Sequence, residues 1–183
     1  MELPAETPAD ELVIDEAGAS TAVSLDKHLA GTGVLLLHDR RIPGDGGANI
    51  DHLAVGPGGV TVIDSKTQRG KIQVDRAGGL FAPRRPVLLI NGRDRTGLID
   101  GVESQIAAVR SVLAQAGYDG IDIRAALCFP NVDGLPLFRQ LSARDVVIDG
   151  PKPVAKLAAR PGPLGINAVN ELWVELRRSF SPA

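Results

Sequence analysis

Two aspartates and a lysine stand close together in the stretch NIDHLAVGPGGVTVIDSK, residues 49–66. This pattern is typical of two short apolar strands joined by a Gly-Pro turn, with one carboxylate, Asp51 or Asp64, on each strand. Carboxylates bind hard divalent cations, and a nearby ammonium group such as that of Lys66 can activate water. If the strands bring these side chains together, they form a set of metal ligands with a water-activating lysine beside it.

The register of the hairpin decides whether the side chains meet. With the turn at residues 56–59, Asp51 lies opposite Asp64, and Lys66 projects from the same face two residues further on. Opposed carboxylates about 5 Å apart repel by about 3 kcal/mol at an effective dielectric constant near 20. A positive charge must therefore compensate, and Lys66 supplies one charge whereas a divalent cation would supply two.

Alternatives to a metal site stay open on this reasoning. A shift of register by one residue would move Asp51 to the other face of the sheet and separate it from Asp64 and Lys66. Asp64 and Lys66 could also form a buried ion pair that only holds the hairpin in place and binds no metal. If a metal binds, its oxygen ligands favour Mg²⁺ or Mn²⁺ over zinc, because no Cys or His cluster has metal-ligand spacing.

Other polar residues accompany the hairpin. His52 points to the opposite face from Asp51 in this register and is interpreted as a hydrogen-bonded sheet or interface histidine, whereas His28 and His38 receive no role. Gln105 lies beside the apolar stripe of a helix, where a buried amide needs partners. It could bond a metal-bound water, a carboxylate or a substrate phosphate, or it could be half exposed on the flank of the helix.

The elements around the hairpin predict an α+β domain. They are a helix over 16–30, a buried strand within 33–41, the hairpin of 49–66, a second hairpin of strands 70–76 and 86–90, a helix from an N-cap at Thr96 to Gly117, strands within 121–129 and 145–149, and helices over 153–160 and 167–180. Such runs of unlike elements favour a mixed sheet over a regularly alternating α/β fold.

Length and composition indicate one domain in a reducing compartment. A chain of 183 residues that is 44% hydrophobic can bury one core, and its single cysteine excludes an internal disulfide. No apolar run approaches the roughly 20 residues that cross a bilayer, and the acidic start lacks the order of a secretion signal. We therefore expect a cytoplasmic protein without a membrane partner, with a flexible acidic tail over 1–15 and a single domain over 16–183.

Charge is distributed unevenly along the chain. Residues 40–95 contain ten Lys or Arg and five Asp, a balance of +5, whereas the remaining residues contain ten basic and seventeen acidic residues, a balance of −7. A positive middle in an acidic chain suggests a face that meets an anion such as a phosphate backbone. The alternative is that these cations are only solvated loop and edge residues.

Three stretches of the chain resemble a known family. They are LLLHDRRIPGDGGANIDHLAVGPGGVTVIDSKTQRGKIQV, INGRDRTGLIDGVESQIAAVRSVL and RAALCFPNVDGLPLF, and the resemblance covers roughly residues 33–164. They resemble the nuclease-related domain (NERD) family in its actinobacterial form, which is related to the restriction-endonuclease-like PD-(D/E)xK superfamily. The resemblance implies a three-layer restriction-endonuclease-like core, with a central mixed β-sheet flanked by helices.

The resemblance also implies roles for the hairpin residues. Asp51 corresponds to the first metal-binding aspartate, Asp64 and Lys66 correspond to the acid and the lysine of the next strand, and Gln105 matches a helical glutamine near the site. The metal ligands would be Asp51, Asp64 and the backbone carbonyl of Ser65, around Mg²⁺ or Mn²⁺. Many members also carry a glutamate after a glycine on the first helix, but the corresponding run here, GASTAV, has no carboxylate, and Glu16 is the nearest acid.

The resulting hypothesis is a divalent-metal-dependent nuclease that hydrolyses phosphodiester bonds in DNA. The candidates for binding the phosphates on either side of the cleaved bond are Arg69, Lys71, Arg93 and Arg95. With one Trp and one Tyr, base stacking is not expected to dominate, which favours backbone contacts with a duplex. DNA rather than RNA is the expected nucleic acid. The alternatives are a catalytically weak or inactive nuclease-fold module that binds nucleic acid, and a domain that docks on a protein partner. A homodimer is also left open.

Overall fold

The structure is a computed structural model that describes residues 9–44, 46–78, 85–131, 135 and 140–183, with the side chains of the first helix described from residue 18 onward. Four helices and nine strands make up this described part. In chain order they are α1 (Ala9–Leu29), β1 (Leu35–Arg41), β2 (Asn49–Gly56), β3 (Gly59–Ser65), β4 (Ile72–Ala77), β5 (Arg85–Ile90), β6 (Arg93–Asp94), α2 (Gly97–Gln115), β7 (Ile123–Cys128), β8 (Leu141–Ala143), β9 (Val146–Asp149), α3 (Pro151–Ala158) and α4 (Ile166–Ser179).

The central sheet is mixed, as predicted. Its strand order is β1-β2-β3-β7-β9-β8; β1, β2 and β3 are antiparallel neighbours, β3, β7 and β9 run parallel, and β8 is antiparallel to β9. A second, antiparallel sheet of order β4-β5-β6 is inserted between β3 and α2. This combination confirms the α+β prediction.

Helices cover both faces of the central sheet. On one face, α1 and α3 pack through residues such as Leu25 and Val154 against Ile63 of β3. On the other face, α2 and α4 pack through residues such as Val109 and Leu172. Every residue of β3 is buried as a result, which explains why its sequence GVTVIDS is almost continuously apolar until the aspartate. The layers are those of the three-layer core that the resemblance implied.

A tight turn sets the register of the β2–β3 hairpin. Gly56 pairs with Gly59, so only Pro57 and Gly58 form the loop. Gly59 has φ of +114°, a conformation that favours glycine, and a Cβ there would overlap the backbone carbonyl oxygen of Asp122. The same carbonyl accepts a hydrogen bond from the N–H of Val60 at 2.9 Å, which ties the start of β3 to the segment before β7.

The helix after Thr96 has the predicted apolar face and the predicted N-cap residue, but the cap lacks a side-chain hydrogen bond. Val102, Val109 and Leu113 are buried. Thr96 precedes α2 without a side-chain capping bond, because its hydroxyl oxygen accepts a hydrogen bond from the backbone N–H of Leu88 at 3.1 Å. Thr96 is thus the N-cap residue of α2, and its side chain ties the helix to β5.

Three further elements differ from expectation. β1 was predicted to be a buried strand, but it lies at the edge of the sheet and Leu37 is its one buried residue. The short strands β6 and β8 were not predicted. α1 begins at Ala9, whereas a helix was predicted from residue 16, and the division into a tail over 1–15 and a domain over 16–183 stays a prediction, since residues 1–8 lie outside the described part.

Residues that follow α4 cover the outer edge of β1. The N–H of Arg41 donates to the carbonyl of Ser181 at 2.9 Å, and the N–H of Ala183 donates to the carbonyl of Asp39 at 3.1 Å. Arg40 and Pro182 form an isolated antiparallel bridge between these two bonds. The edge of the central sheet is therefore paired at this end of β1.

Among the residues that the structure describes, no helix combines the length and apolar character that crossing a bilayer would require.

Candidate active site

The observed hairpin register brings the two aspartates to the same level of the sheet. Val55 pairs with Val60, and the ladder runs as far as His52 and Ile63. One residue further in this register, Asp51 lies opposite Asp64. The site is therefore at the end of the hairpin away from its turn.

Asp51 is held by the backbone of the next strand. Its Oδ2 atom accepts a hydrogen bond from the backbone N–H of Ser65 at 2.7 Å. Lys66 completes the group, because its Nζ atom donates to Oδ1 of Asp64 at 2.9 Å. The Asp64 side chain is 6% exposed and the Lys66 side chain 18% exposed, so this ion pair is largely shielded from water. The structure thus brings Asp51, Asp64 and Lys66 together.

The electrostatics of the site leave Asp51 short of positive charge. Burial raises the pKa of Asp51 from 3.8 to about 7, and the negative charge of Asp64 adds to the increase. The Ser65 N–H and the charge of Lys66 act in the opposite direction without balancing it. The carboxyl of Asp51 therefore keeps its proton to a higher pH than an ordinary aspartate does.

The donor set fits a hard divalent cation. Two carboxylates short of positive charge would be balanced by a cation, and oxygen donors suit Mg²⁺ or Mn²⁺. Within the described ranges, no group of three or more His, Cys, Asp or Glu side chains is placed to hold a metal ion. Asp51 and Asp64 are the predicted carboxylate ligands that the structure describes, and the backbone carbonyl of Ser65 stays the predicted third ligand.

A cavity of about 420 Å³ opens beside Asp51 on the side of α1. Its lining residues are Gly18, Ala19, Ala22, His38, Asp39, Asn49, Asp51 and His52. Among the side chains of α1 that are described, those lining this wall are small: Gly18, Ala19 and Ala22. The side chain of Glu16 lies outside the described residues. The structure consequently places small side chains of α1 beside Asp51, where a further carboxylate would have room.

Gln105 lies on α2, the helix that packs against β3 and β7. The residue is partly buried, and its Oε1 atom is buried without a hydrogen-bond partner among the described residues. Gln68, two residues after Lys66, has a buried Oε1 atom in the same condition. No described hydrogen bond joins Gln105 to the aspartates or to Lys66, so its role at the site stays a prediction.

Two histidines form a connection that sequence reasoning missed. His52 is buried and hydrogen-bonded, as predicted, but its partners are Nδ1 of His38 at 2.8 Å and Oγ of Ser65 at 3.1 Å. Burial, and then the charge of His38, lowers the pKa of His52 to about 3. His38 pairs with His52 across β1 and β2, so the register of β1 against β2 is the signal that would have revealed the contact.

The four predicted phosphate-binding cations lie on neighbouring backbone segments, and all four are exposed. Asn91, in the turn between β5 and β6, accepts a hydrogen bond from the N–H of Lys71 and donates to the carbonyl of Arg69. Arg93 and Arg95 follow this turn closely. The structure thus places the segment with Arg69 and Lys71 beside the segment with Arg93 and Arg95. Arg69 and Lys71 follow Lys66 in the chain by three and five residues.

A model of the nuclease-related domain family matches residues 16–130. The chain belongs to the nuclease-related domain family. The matched residues include every predicted site residue, and the fold agrees with the restriction-endonuclease-like core that the resemblance implied. No curated protein and no solved structure matches the chain.

A larger cavity of this NERD domain, of about 520 Å³, lies away from the aspartates. Four arginines line it: Arg110, Arg124, Arg144 and Arg160. Two of them are bound within the protein, Arg124 to Asp122 and Arg144 to Asp100. The cavity adjoins the start of β7, four residues and about 13 Å before the level of Asp64, so it is separate from the candidate site.

Proposed function

We propose that this NERD protein is a divalent-metal-dependent nuclease that hydrolyses phosphodiester bonds in DNA. The observation that carries the proposal is the convergence of Asp51, Asp64 and Lys66 at one end of the β2–β3 hairpin. The raised pKa of Asp51 supports it, because a structural ion pair of Asp64 and Lys66 would not require a second buried carboxylate.

Each residue of the site would have a separate role in the reaction. A Mg²⁺ or Mn²⁺ ion held by Asp51, Asp64 and the carbonyl of Ser65 would supply Lewis-acid polarisation of a phosphate and acidify water. Asp64 holds the ammonium of Lys66, which would orient the attacking water and stabilise the negative charge that develops on the phosphate. The N–H of Ser65 fixes one oxygen of Asp51 and so orients its carboxylate.

Substrate binding would rely on the phosphate backbone. The four exposed cations near the site are Arg69, Lys71, Arg93 and Arg95. Neither of the large polar aromatics is free to stack on bases, because Trp173 donates its Nε1–H to the carbonyl of Leu36 and Tyr118 packs against the core. Contacts with the phosphate backbone rather than with unstacked bases therefore favour a duplex over a single strand.

A second candidate function is a nuclease-fold module that binds nucleic acid, or a protein partner, with weak or no catalysis. The observation in its favour is the small-residue wall of α1 beside Asp51, formed by Gly18, Ala19 and Ala22. If the two described carboxylates, Asp51 and Asp64, act without a third, the affinity for a cation would be lower. A homodimer would be compatible with either function.

The test is a cleavage assay on plasmid, linear duplex and single-stranded substrates with Mg²⁺, Mn²⁺ or EDTA. Asp64→Asn and Lys66→Ala remove the proposed chemistry, and Asp75→Asn removes an exposed carboxylate of β4 as the matched control. Metal-dependent products from the wild type and from Asp75→Asn, but from neither site variant, support the nuclease. Wild-type rates in Lys66→Ala would exclude the mechanism.

The same preparations distinguish the second candidate by DNA binding in EDTA. Four phosphate contacts predict a slope of log K against log salt of about −3.6, and Arg93→Ala should reduce it by about 0.9. If no substrate is cleaved while this binding persists in Asp64→Asn, the chain is a binding module.

A further inference from the structure

A chain of four side chains runs from the surface of α1 to the residue between Asp64 and Lys66. Nε2 of His38 contacts Oδ1 of Asp26 at 3.3 Å, and Nδ1 of His38 contacts Nδ1 of His52 at 2.8 Å. Nε2 of His52 then contacts Oγ of Ser65 at 3.1 Å. The chain crosses α1, β1, β2 and β3 and ends directly behind the candidate site.

The direction of these hydrogen bonds follows from the groups involved. The carboxylate of Asp26 only accepts, so Nε2 of His38 carries a hydrogen. In a neutral ring, Nδ1 of His38 then accepts, and Nδ1–H of His52 donates to it. The remaining Nε2 of His52 accepts from the hydroxyl of Ser65. Each member therefore has one defined tautomer or orientation, and the chain is fully satisfied.

Ser65 couples this chain to the carboxylates. Its hydroxyl reaches His52, and its backbone N–H donates to Asp51 at 2.7 Å. Ser65 is completely buried and His52 is 2% exposed, so neither can replace a lost partner with bulk water. Holding the Ser65 side chain therefore fixes the peptide unit that orients Asp51.

We propose that His38 is a positioning residue which acts through His52 and Ser65 to hold Asp51 ready for a divalent cation. The positioning role in catalysis rests on the proposed nuclease function, whereas the effect on Ser65 and Asp51 does not. None of Asp26, His38 and His52 is among the proposed ligands, and the chain acts on the site from behind the sheet. Groups that orient metal ligands commonly contribute about 10–100-fold to metal affinity or activity.

Two substitutions of His38 separate positioning from simple packing. His38→Leu fills similar space but offers no acceptor, so the buried Nδ1–H of His52 loses its partner and the tautomer that receives the Ser65 hydroxyl is no longer favoured. His38→Asn places an amide oxygen close to the position of Nδ1 and restores the acceptor. The proposal therefore requires that His38→Leu weakens the protection of the Ser65 amide and the binding of Mg²⁺, and that His38→Asn keeps both.

The first measurement is independent of catalysis. Long-range ¹H–¹⁵N spectra of the wild type at about pH 8, where an imidazole is ordinarily neutral, should find the hydrogen of His52 on Nδ1 and that of His38 on Nε2. Amide hydrogen exchange at Ser65 should be about tenfold faster in His38→Leu and nearly unchanged in His38→Asn, with exchange at Val62 unaffected in both. The opposite His52 tautomer, or equal losses at Ser65 and Val62 in His38→Leu, would overturn the proposal.

The second measurement concerns the cation. The Mg²⁺ concentration for half-maximal cleavage should rise about 10–100-fold in His38→Leu, with the rate at saturating Mg²⁺ largely kept, and should stay at the wild-type value in His38→Asn. An unchanged Mg²⁺ dependence in His38→Leu contradicts the positioning role. If the wild type cleaves no substrate, the nuclease function fails, and the tautomer and exchange results still decide whether His38 positions Ser65.

Discussion

Replacing Asp51 with asparagine should stabilise the metal-free protein at alkaline pH while removing its response to metal. Asparagine keeps an oxygen that can accept the Ser65 N–H and removes a charge beside Asp64. The pKa of Asp51 is raised from 3.8 to about 7, a difference of about 3 pKa units. At 1.36 kcal/mol per unit, this corresponds to an upper limit of about 4 kcal/mol.

The sign of the effect depends on pH. Because the folded state binds the Asp51 proton more tightly than the unfolded state, the associated stability is present below about pH 4 and is lost as the pH rises to about 7. The variant has no such loss. Its melting temperature relative to wild type should therefore rise by roughly 5–15 °C between about pH 4 and pH 8, for a domain of this size.

The assay is thermal unfolding followed by circular dichroism, in EDTA and in excess Mg²⁺, with Asp75→Asn as an exposed-carboxylate control. In EDTA, the difference between Asp51→Asn and wild type should grow with pH, whereas Asp75→Asn should follow the wild type. In Mg²⁺, only the proteins that keep Asp51 should gain stability. A difference that does not change with pH, or a variant less stable than wild type at about pH 8, would refute the electrostatic reasoning.

Three further predictions concern the metal, α1 and the hairpin. A proton on Asp51 competes with a cation, so the apparent affinity for Mg²⁺ should rise by up to about tenfold per pH unit and level off above about pH 7. Calorimetric titration measures this affinity, and a flat pH profile would argue against Asp51 as a ligand. Ala19→Glu adds a carboxylate to the wall of the cavity beside Asp51 and should strengthen Mg²⁺ binding at least several-fold in the same titration, unlike Ser20→Glu, which does not line the cavity. Gly59→Ala should lower the free energy of unfolding by roughly 3 kcal/mol, because Gly59 has a positive φ and an added Cβ would overlap the Asp122 carbonyl. Gly120→Ala should lower it little, because a Cβ there would meet open space. Equal losses in urea titrations of the two variants would contradict this account.

The hairpin was predictable because its information is local. A tight turn and the two-residue period of a strand fix which residues face each other, so the pairing of Val55 with Val60 follows from the sequence. Repulsion between the carboxylates is only part of the electrostatics of the site. Burial contributes more than Asp64 to the raised pKa of Asp51, and burial depends on how the helices cover the sheet.

What sequence reasoning missed depends on tertiary packing. The contact of His38 with His52 depends on the register of β1 against β2, which the turn of the β2–β3 hairpin does not determine. Strands β6 and β8, of two and three residues, are too short for periodicity to indicate them. The helical stripe predicted the buried face of α2, but it could not specify a partner for Gln105, because neighbouring elements determine which groups lie within reach.

The residues after α4 have a consequence for association between copies of the chain. Exposed strand edges offer unpaired N–H and C=O groups on which another molecule can add a strand, a common route to aggregation. Along β1 these groups are already bonded to Ser181 and Ala183, with Pro182 between them. Two copies cannot join their sheets through residues 39–41 unless these bonds open. A dimer formed without that rearrangement must use another surface, and displacing residues 181–183 would expose an edge prone to sheet extension.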